Sequence, residues 1–163
     1  MTRFIASIGL VLLLSVALVL PVSASDQRPV RGHFVGSGVN VDQRCPNALT
    51  IGFALDGVLS HLGRMTGGGS NCTEFTLGTE SVPIWDGIAI VTAADGSTLT
   101  LAYGGEQGAP TNGVASFSHS DTVVAGKGRF TGATGQLTVE GVIDFSAFPE
   151  VTVTGSVSGW ISY

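Results

Sequence analysis

Lysine is almost missing from this chain. Lys127 is the single lysine among 163 residues, and charged side chains of all kinds make up only 12%. Proteins that grip nucleic acid or anionic lipid carry basic stripes or patches, and none is present, so nucleic acid is not an expected partner. Aromatic residues are also few, at 7%, too few for the two aromatic girdles of an outer-membrane barrel. Cysteine is limited to Cys45 and Cys72. They form no CxxC pair, and two thiols alone do not build a zinc site. His33, His61 and His119 are far apart, with no H-E-x-x-H spacing. There is no G-x-S-x-G elbow and no D-x-D-x-D-G calcium loop. No metal and no cofactor are therefore expected. Helical periodicity is missing as well, since no ten-residue window sets apolar residues at helical spacing.

Long apolar runs are confined to the N-terminus. Arg3 supplies a positive start, Phe4 to Leu20 is apolar, and Val22, Ser23 and Ala24 offer small residues to a signal peptidase. The competing reading is a transmembrane anchor, but the run is at the short end of the ~17–25 residues a span needs. The small-residue site favours a signal peptide over residues 1–24, with cleavage after Ala24. Ser25 and Asp26 follow, not cysteine, so no lipid anchor is expected. Residues 25–163 then form one secreted domain of a size that supports a single core. Without Arg3 it carries 6 basic and 12 acidic side chains. In an oxidising compartment Cys45 and Cys72 read as a structural disulfide. Closing a loop of this length is worth about 3.5 kcal/mol in the chain-entropy account.

What the chain has in abundance is glycine, 24 residues of it, with threonine, valine and serine, all arranged in alternation. "VTVTGSVSGWISY" sets Val151, Val153, Val157, Ile161 and Tyr163 on one face. "QLTVEGVIDF" does the same with Leu137, Val139, Ile143 and Phe145, and "ALTIGFALDG" with Leu49, Ile51, Phe53 and Leu55. Such patterns mark half-buried strands. Strands are expected near 29–39, 48–59, 61–67, 72–78, 84–93, 97–103, 114–125 and 136–146, with 151–163 as a ninth or closing strand. "TGGGSN" (Thr66 to Asn71) and "GGEQGAPTNG" (Gly104 to Gly113) read as loops, and Asp95-Gly96 as a hairpin turn. Asp56, Asp86 and Asp95 each precede a glycine and read as turn or bulge residues. Short connections favour an all-β antiparallel barrel of about eight strands, because closure removes exposed edges. A β-sandwich is the alternative.

"GKGRFTGATGQLTVEG", Gly126 to Gly141, is the most distinctive segment. A phosphate cradle needs G-x-G-x-x-G between a strand and a helix. Here position 131 is threonine, and alternation follows Gly135, so the segment reads as a bend at a barrel end with Phe130 tucked beneath it. Together with "SHLGRMTG" (Ser60 to Gly67), "VTAADGSTLTLAYGG" (Val91 to Gly105) and the terminal "GSVSGWISY", it resembles a group of small bacterial secreted proteins. Their G-x-G-R-F-x-G-A-T-G segment is similar to the bend of the allene oxide cyclase and dirigent barrels of the calycin-like type. The resemblance covers most of residues 60–163 and implies an antiparallel barrel of about eight strands. It carries no activity, because no catalytic residue of those plant families maps onto a numbered position here.

One constellation could carry chemistry. In "ASFSHSDTVVAG", Ala115, Phe117, His119, Asp121, Val123 and Ala125 share a face. His119 and Asp121 could point into the barrel as an acid–base pair. Alternatively a twist turns both to water near a barrel mouth, and the cost of burying charge favours that second reading. No catalytic residue is assigned; His119 and Asp121 are the candidates. The function expected is a non-enzymatic secreted module, structural or binding a small apolar ligand, without stable membrane insertion once the leader is removed. A cofactor-independent cyclase or isomerase of the allene oxide cyclase or dirigent type is the alternative. N-terminal sequencing of exported protein is expected to begin at Ser25; recovery of full-length chain in membranes would overturn the leader assignment.

Overall fold

The structure is a computed structural model describing residues 26–41, 44–74 and 80–163. The expected leader and its cleavage site lie outside the described residues. Eight strands follow in order: β1 (Arg28–Asn40), β2 (Leu49–Leu59), β3 (Gly63–Thr73), β4 (Ser81–Thr92), β5 (Thr98–Gly108), β6 (Val114–Lys127), β7 (Thr134–Asp144) and β8 (Val151–Ser162). A single 3-10 turn, Gly128–Phe130, separates β6 from β7. Each strand pairs antiparallel with the next, and β8 returns to β1 with Ile161 opposite Arg28 and Val151 opposite Gly38. The sheet is a closed barrel rather than a sandwich.

The expected count of strands holds, but their division is corrected. Residues 61–67 and 72–78 were expected as two strands around a "TGGGSN" loop. Instead Gly63 to Thr73 is one strand, paired without a break to β2 from Leu59–Gly63 to Leu49–Thr73. Of the expected 72–78 strand, residues 75–78 lie outside the described residues. Glycine-rich composition reads as loop locally, but a strand with partners on both sides satisfies its backbone whatever its side chains. Residues 151–163 are accordingly the eighth strand, not a ninth. The "GGEQGAPTNG" loop is likewise shorter than expected, since β5 runs through Gly108 and pairs Gln107 with Phe117. Asp86 does sit at a bulge, with φ of 50° where the β4–β5 register shifts between Ile84 and Gly87. Asp56 does not: it lies in unbroken register between Val35 and Thr66.

The alternation read from the sequence decides what fills the barrel. Leu137 and Val139 of β7, Val157 and Ile161 of β8, and Leu99 and Leu101 of β5 all turn inward and are buried. The two ends differ. One carries the β2–β3, β4–β5 and β6–β7 connections and is plugged: Val30, Leu99, Phe130 and Ile161 are at most 2% exposed. The glycine-rich segment makes that plug. Gly128 turns the chain with φ of 67°, and a Cβ on Gly126 would stand 2.0 Å from the Phe130 carbonyl oxygen. Phe130 then packs edge-on against Tyr163, ring centroids 4.8 Å apart. Arg129 ties the closed end together. Its Nη2 donates to the His61 carbonyl at 2.7 Å, its Nε meets Asp95 at 3.3 Å, and its backbone amide donates to Ser97 Oγ. The Ser97 amide, with Arg129 adding to it, holds the Asp95 carboxyl below its ordinary range. Truncating Phe130 to alanine is expected to cost about 3–5 kcal/mol, the range for a fully buried aromatic. Urea denaturation checks this, and a loss under about 1 kcal/mol would mean the bend is not the plug.

Candidate functional site

Among the described residues, the other end of the barrel is open. Ile51, Phe53, Ile143, Val151 and Val153 turn inward there but are only half-buried. Below them lies a cavity of about 130 Å³ whose walls are almost wholly aliphatic and aromatic. Four polar side chains break that wall: Asn71 of β3, Tyr103 of β5, and His119 and Asp121 of β6.

His119 and Asp121 do not face water. Their side chains are 14% and 5% exposed, and both line the cavity. This overturns the reading that burial cost would turn them outward. The strand keeps its parity because the two groups satisfy each other, with His119 Nδ1 2.5 Å from Asp121 Oδ1. A buried charge is tolerated when a partner offsets its lost hydration. Aromatic faces flank the imidazole. The Tyr103 ring centroid lies 4.6 Å away, and the Phe117 ring lies 5.6 Å away, nearly parallel. On the next strands, His119 sits opposite Gly105 and Val139, and Asp121 opposite Tyr103 and Leu137.

Tyr103 was not singled out by the sequence. Its parity with Leu99 and Leu101 was legible, but its place beside Asp121 depends on a register shift between Thr100 and Leu101. The phenol donates to Asn71 Oδ1 at 3.1 Å. Burial first, and then the nearby Asp121 carboxylate, pushes the Tyr103 hydroxyl well above its usual range, with Arg44 opposing. It stays a neutral donor at any physiological pH. The ring has room because it lies over Gly87, where a Cβ would come within 2.5 Å of it.

The β4 bulge that positions Gly87 is clamped from outside. Cys45 and Cys72 are bonded, as expected, with Cα atoms 5.8 Å apart. The amides of Arg44 and Cys45 both donate to the buried Thr50 hydroxyl, at 3.0 and 3.2 Å. Arg44 then reaches Asp86 twice, Nη1 to the carboxylate at 2.7 Å and Nη2 to the backbone carbonyl at 2.6 Å. Of the other histidines, His61 turns the β2–β3 connection with φ of 64°, and His33 lies mid-strand in β1; neither lines the cavity. Among the described residues, no group of three or more His, Cys, Asp or Glu side chains could hold a metal ion.

Fold and site together define an open-ended antiparallel β-barrel with an apolar interior and a buried His–Asp pair in its wall. No known protein family and no curated protein matches the chain. Among solved structures it is similar to the pterocarpan synthase dirigent protein PsPTS1. That match has 16% identity and a TM-score of 0.46, and covers 85% of this chain and 97% of the other. It is also similar to the pterocarpan synthase dirigent protein GePTS1, with 16% identity, a TM-score of 0.41, and coverage of 85% and 93%. Both neighbours are dirigent proteins.

Energetically the pair is expected to behave as a unit. His119→Phe leaves a buried carboxylate without its partner and is expected to cost about 3–5 kcal/mol. Adding Asp121→Leu removes that orphan, so the double variant is expected to cost clearly less than the two single changes together. Denaturant unfolding of the four proteins measures this; additivity to within about 0.5 kcal/mol would mean the two groups are not coupled.

Proposed function

We propose that this protein is an exported binding module that holds a small apolar molecule inside its barrel. The observation that carries the reading is the cavity itself: open at one end, plugged at the other, and walled by apolar side chains. Small-molecule sites have this character, mostly apolar with a few placed polar groups. The cavity volume of about 130 Å³ is close to the ~150 Å³ of an apolar cavity known to take benzene. The disulfide supports an oxidising compartment. The inward set of the apolar side chains supports a barrel that works in water, because a membrane barrel turns its apolar face outward. Native mass spectrometry of protein purified from its own culture medium tests the reading. A retained small compound is expected, released on unfolding. Bare polypeptide mass in every preparation, with no stabilisation by small apolar probes, overturns it.

One observation favours a second reading, cofactor-independent isomerisation or cyclisation of the bound molecule. His119 and Asp121 form a hydrogen-bonded acid–base pair facing the cavity, beside a phenol that remains protonated. Incubating the recovered compound with fresh protein separates the two. Conversion that is lost in His119→Phe supports the enzyme, and return of the compound unchanged supports the binder.

A further inference from the structure

Among the described residues the basic side chains gather at one end of the barrel, with Asp26, Asp56 and Asp95 beside them, and most of the acidic side chains stand at the other. Arg28, Arg31, Arg64, Lys127 and Arg129 all belong to the plugged end, on the first residues of β1 and β3, the last of β6 and the glycine-rich bend. Around the open end stand Glu74, Glu80, Asp86, Glu106, Asp144 and Glu150, with Glu140 one step below on β7. Arg44 is the single lysine or arginine at that end among the described residues, and it is already held twice by Asp86. A molecule approaching the mouth therefore meets a negative rim, within reach of the ~8 Å Debye length at physiological salt. Such a rim concentrates cations and repels anions before any contact is made.

Inside, the same sign is repeated. Asp121 is the carboxylate of the cavity wall, and its side chain is 5% exposed. Oδ1 is taken by His119. Oδ2 has no hydrogen-bond partner among the described residues, and no buried side-chain oxygen there is both sealed from solvent and unpaired. Oδ2 is therefore an open acceptor on the cavity side. Phe53, Tyr103 and Phe117 line the same cavity, with Tyr103 directly opposite Asp121 in the β5–β6 register. A carboxylate acceptor among aromatic faces suits a protonated amine, which donates to the oxygen and rests its charge against the rings. It suits a carboxylate ligand badly, since that would set two anions together in an apolar space.

We infer that the cavity selects small apolar amines, bound as ammonium ions with the nitrogen at Asp121 Oδ2 and the apolar body against Phe53 and Phe117, and rejects apolar carboxylates. The inference rests on the ligand-binding reading above and names its ligand class. The role of Asp121 here is to bind, with His119 positioning its carboxylate by occupying Oδ1.

Three probes of nearly equal size test it: benzylammonium, toluene and benzoate, titrated at neutral pH into the secreted protein and followed by ligand-detected NMR. Benzylammonium is expected to bind at least about tenfold more tightly than benzoate, with toluene between them, and the gap is expected to narrow in high salt as the rim is screened. In Asp121→Asn the benzylammonium-to-toluene affinity ratio is expected to fall by about tenfold, the scale of one charge-assisted hydrogen bond. Should that variant fail to fold, the wild-type ranking and its salt dependence decide the matter alone. Benzoate binding as tightly as benzylammonium, or a ratio unmoved by Asp121→Asn, overturns the inference while the binding of toluene leaves the ligand-binding reading intact. No binding of any of the three overturns both.

Discussion

Everything in this molecule depends on the pairing of β1 with β8. A sheet with free edges exposes unpaired amides and carbonyls, and eleven register pairs from Arg28–Ile161 to Gly38–Val151 remove both edges at once. Closure does more than satisfy the backbone. Side chains alternate across a strand, so a slip of one residue at any seam turns a whole face inside out. With all eight strands in one ring, the parity of each is locked by its two neighbours. That lock keeps His119 and Asp121 inside, although neither would choose an apolar interior alone.

The barrel is built with unequal ends, and the inequality traces to particular residues. At the plugged end, one arginine from the glycine-rich bend reaches the β2–β3 and β4–β5 connections, and Phe130 fills the space beneath. At the open end nothing comparable among the described residues fills the lumen. Apart from Arg44 the long charged side chains there are acidic, and the inward positions are apolar residues only half covered. The disulfide and Arg44 brace the rim from outside, against β3 and the β4 bulge, without entering it. A polar network is costly in such an interior unless each member is satisfied. Here histidine answers aspartate and asparagine answers tyrosine.

Much of the wall was legible in the chain, because a period of two is a local property that composition cannot disguise. The inward faces of β6, β7 and β8 follow the alternation over most of their length, failing at Ala125, which a register shift turns outward, and at Ser162, which is buried. The bend from Gly126 to Gly135 declared itself by failing every phosphate-loop pattern, and the disulfide by being the only pairing available. Two loops were misjudged for one reason. "TGGGSN" and the start of "GGEQGAPTNG" have the composition of loops, but hydrogen-bonded neighbours on either side hold them as strand. The candidate pair was recognised and then assigned to water on the cost of burial, since the partner that offsets that cost is a contact distance, not a pattern.

The sequence by itself determined the class of fold, most of the inward set of side chains, the disulfide and the candidate pair His119 and Asp121. These rest on period, spacing and composition, which act over a few neighbouring residues. Only the tertiary structure decided which end is open, that Tyr103 and Asn71 join the pair, and that Arg44 clamps Asp86 from 42 residues away. It also decided that the basic side chains, scattered along the chain, gather at the plugged end while most of the acidic ones stand around the other. Each of these follows from strand register and ring closure, which bring together residues that no local pattern links.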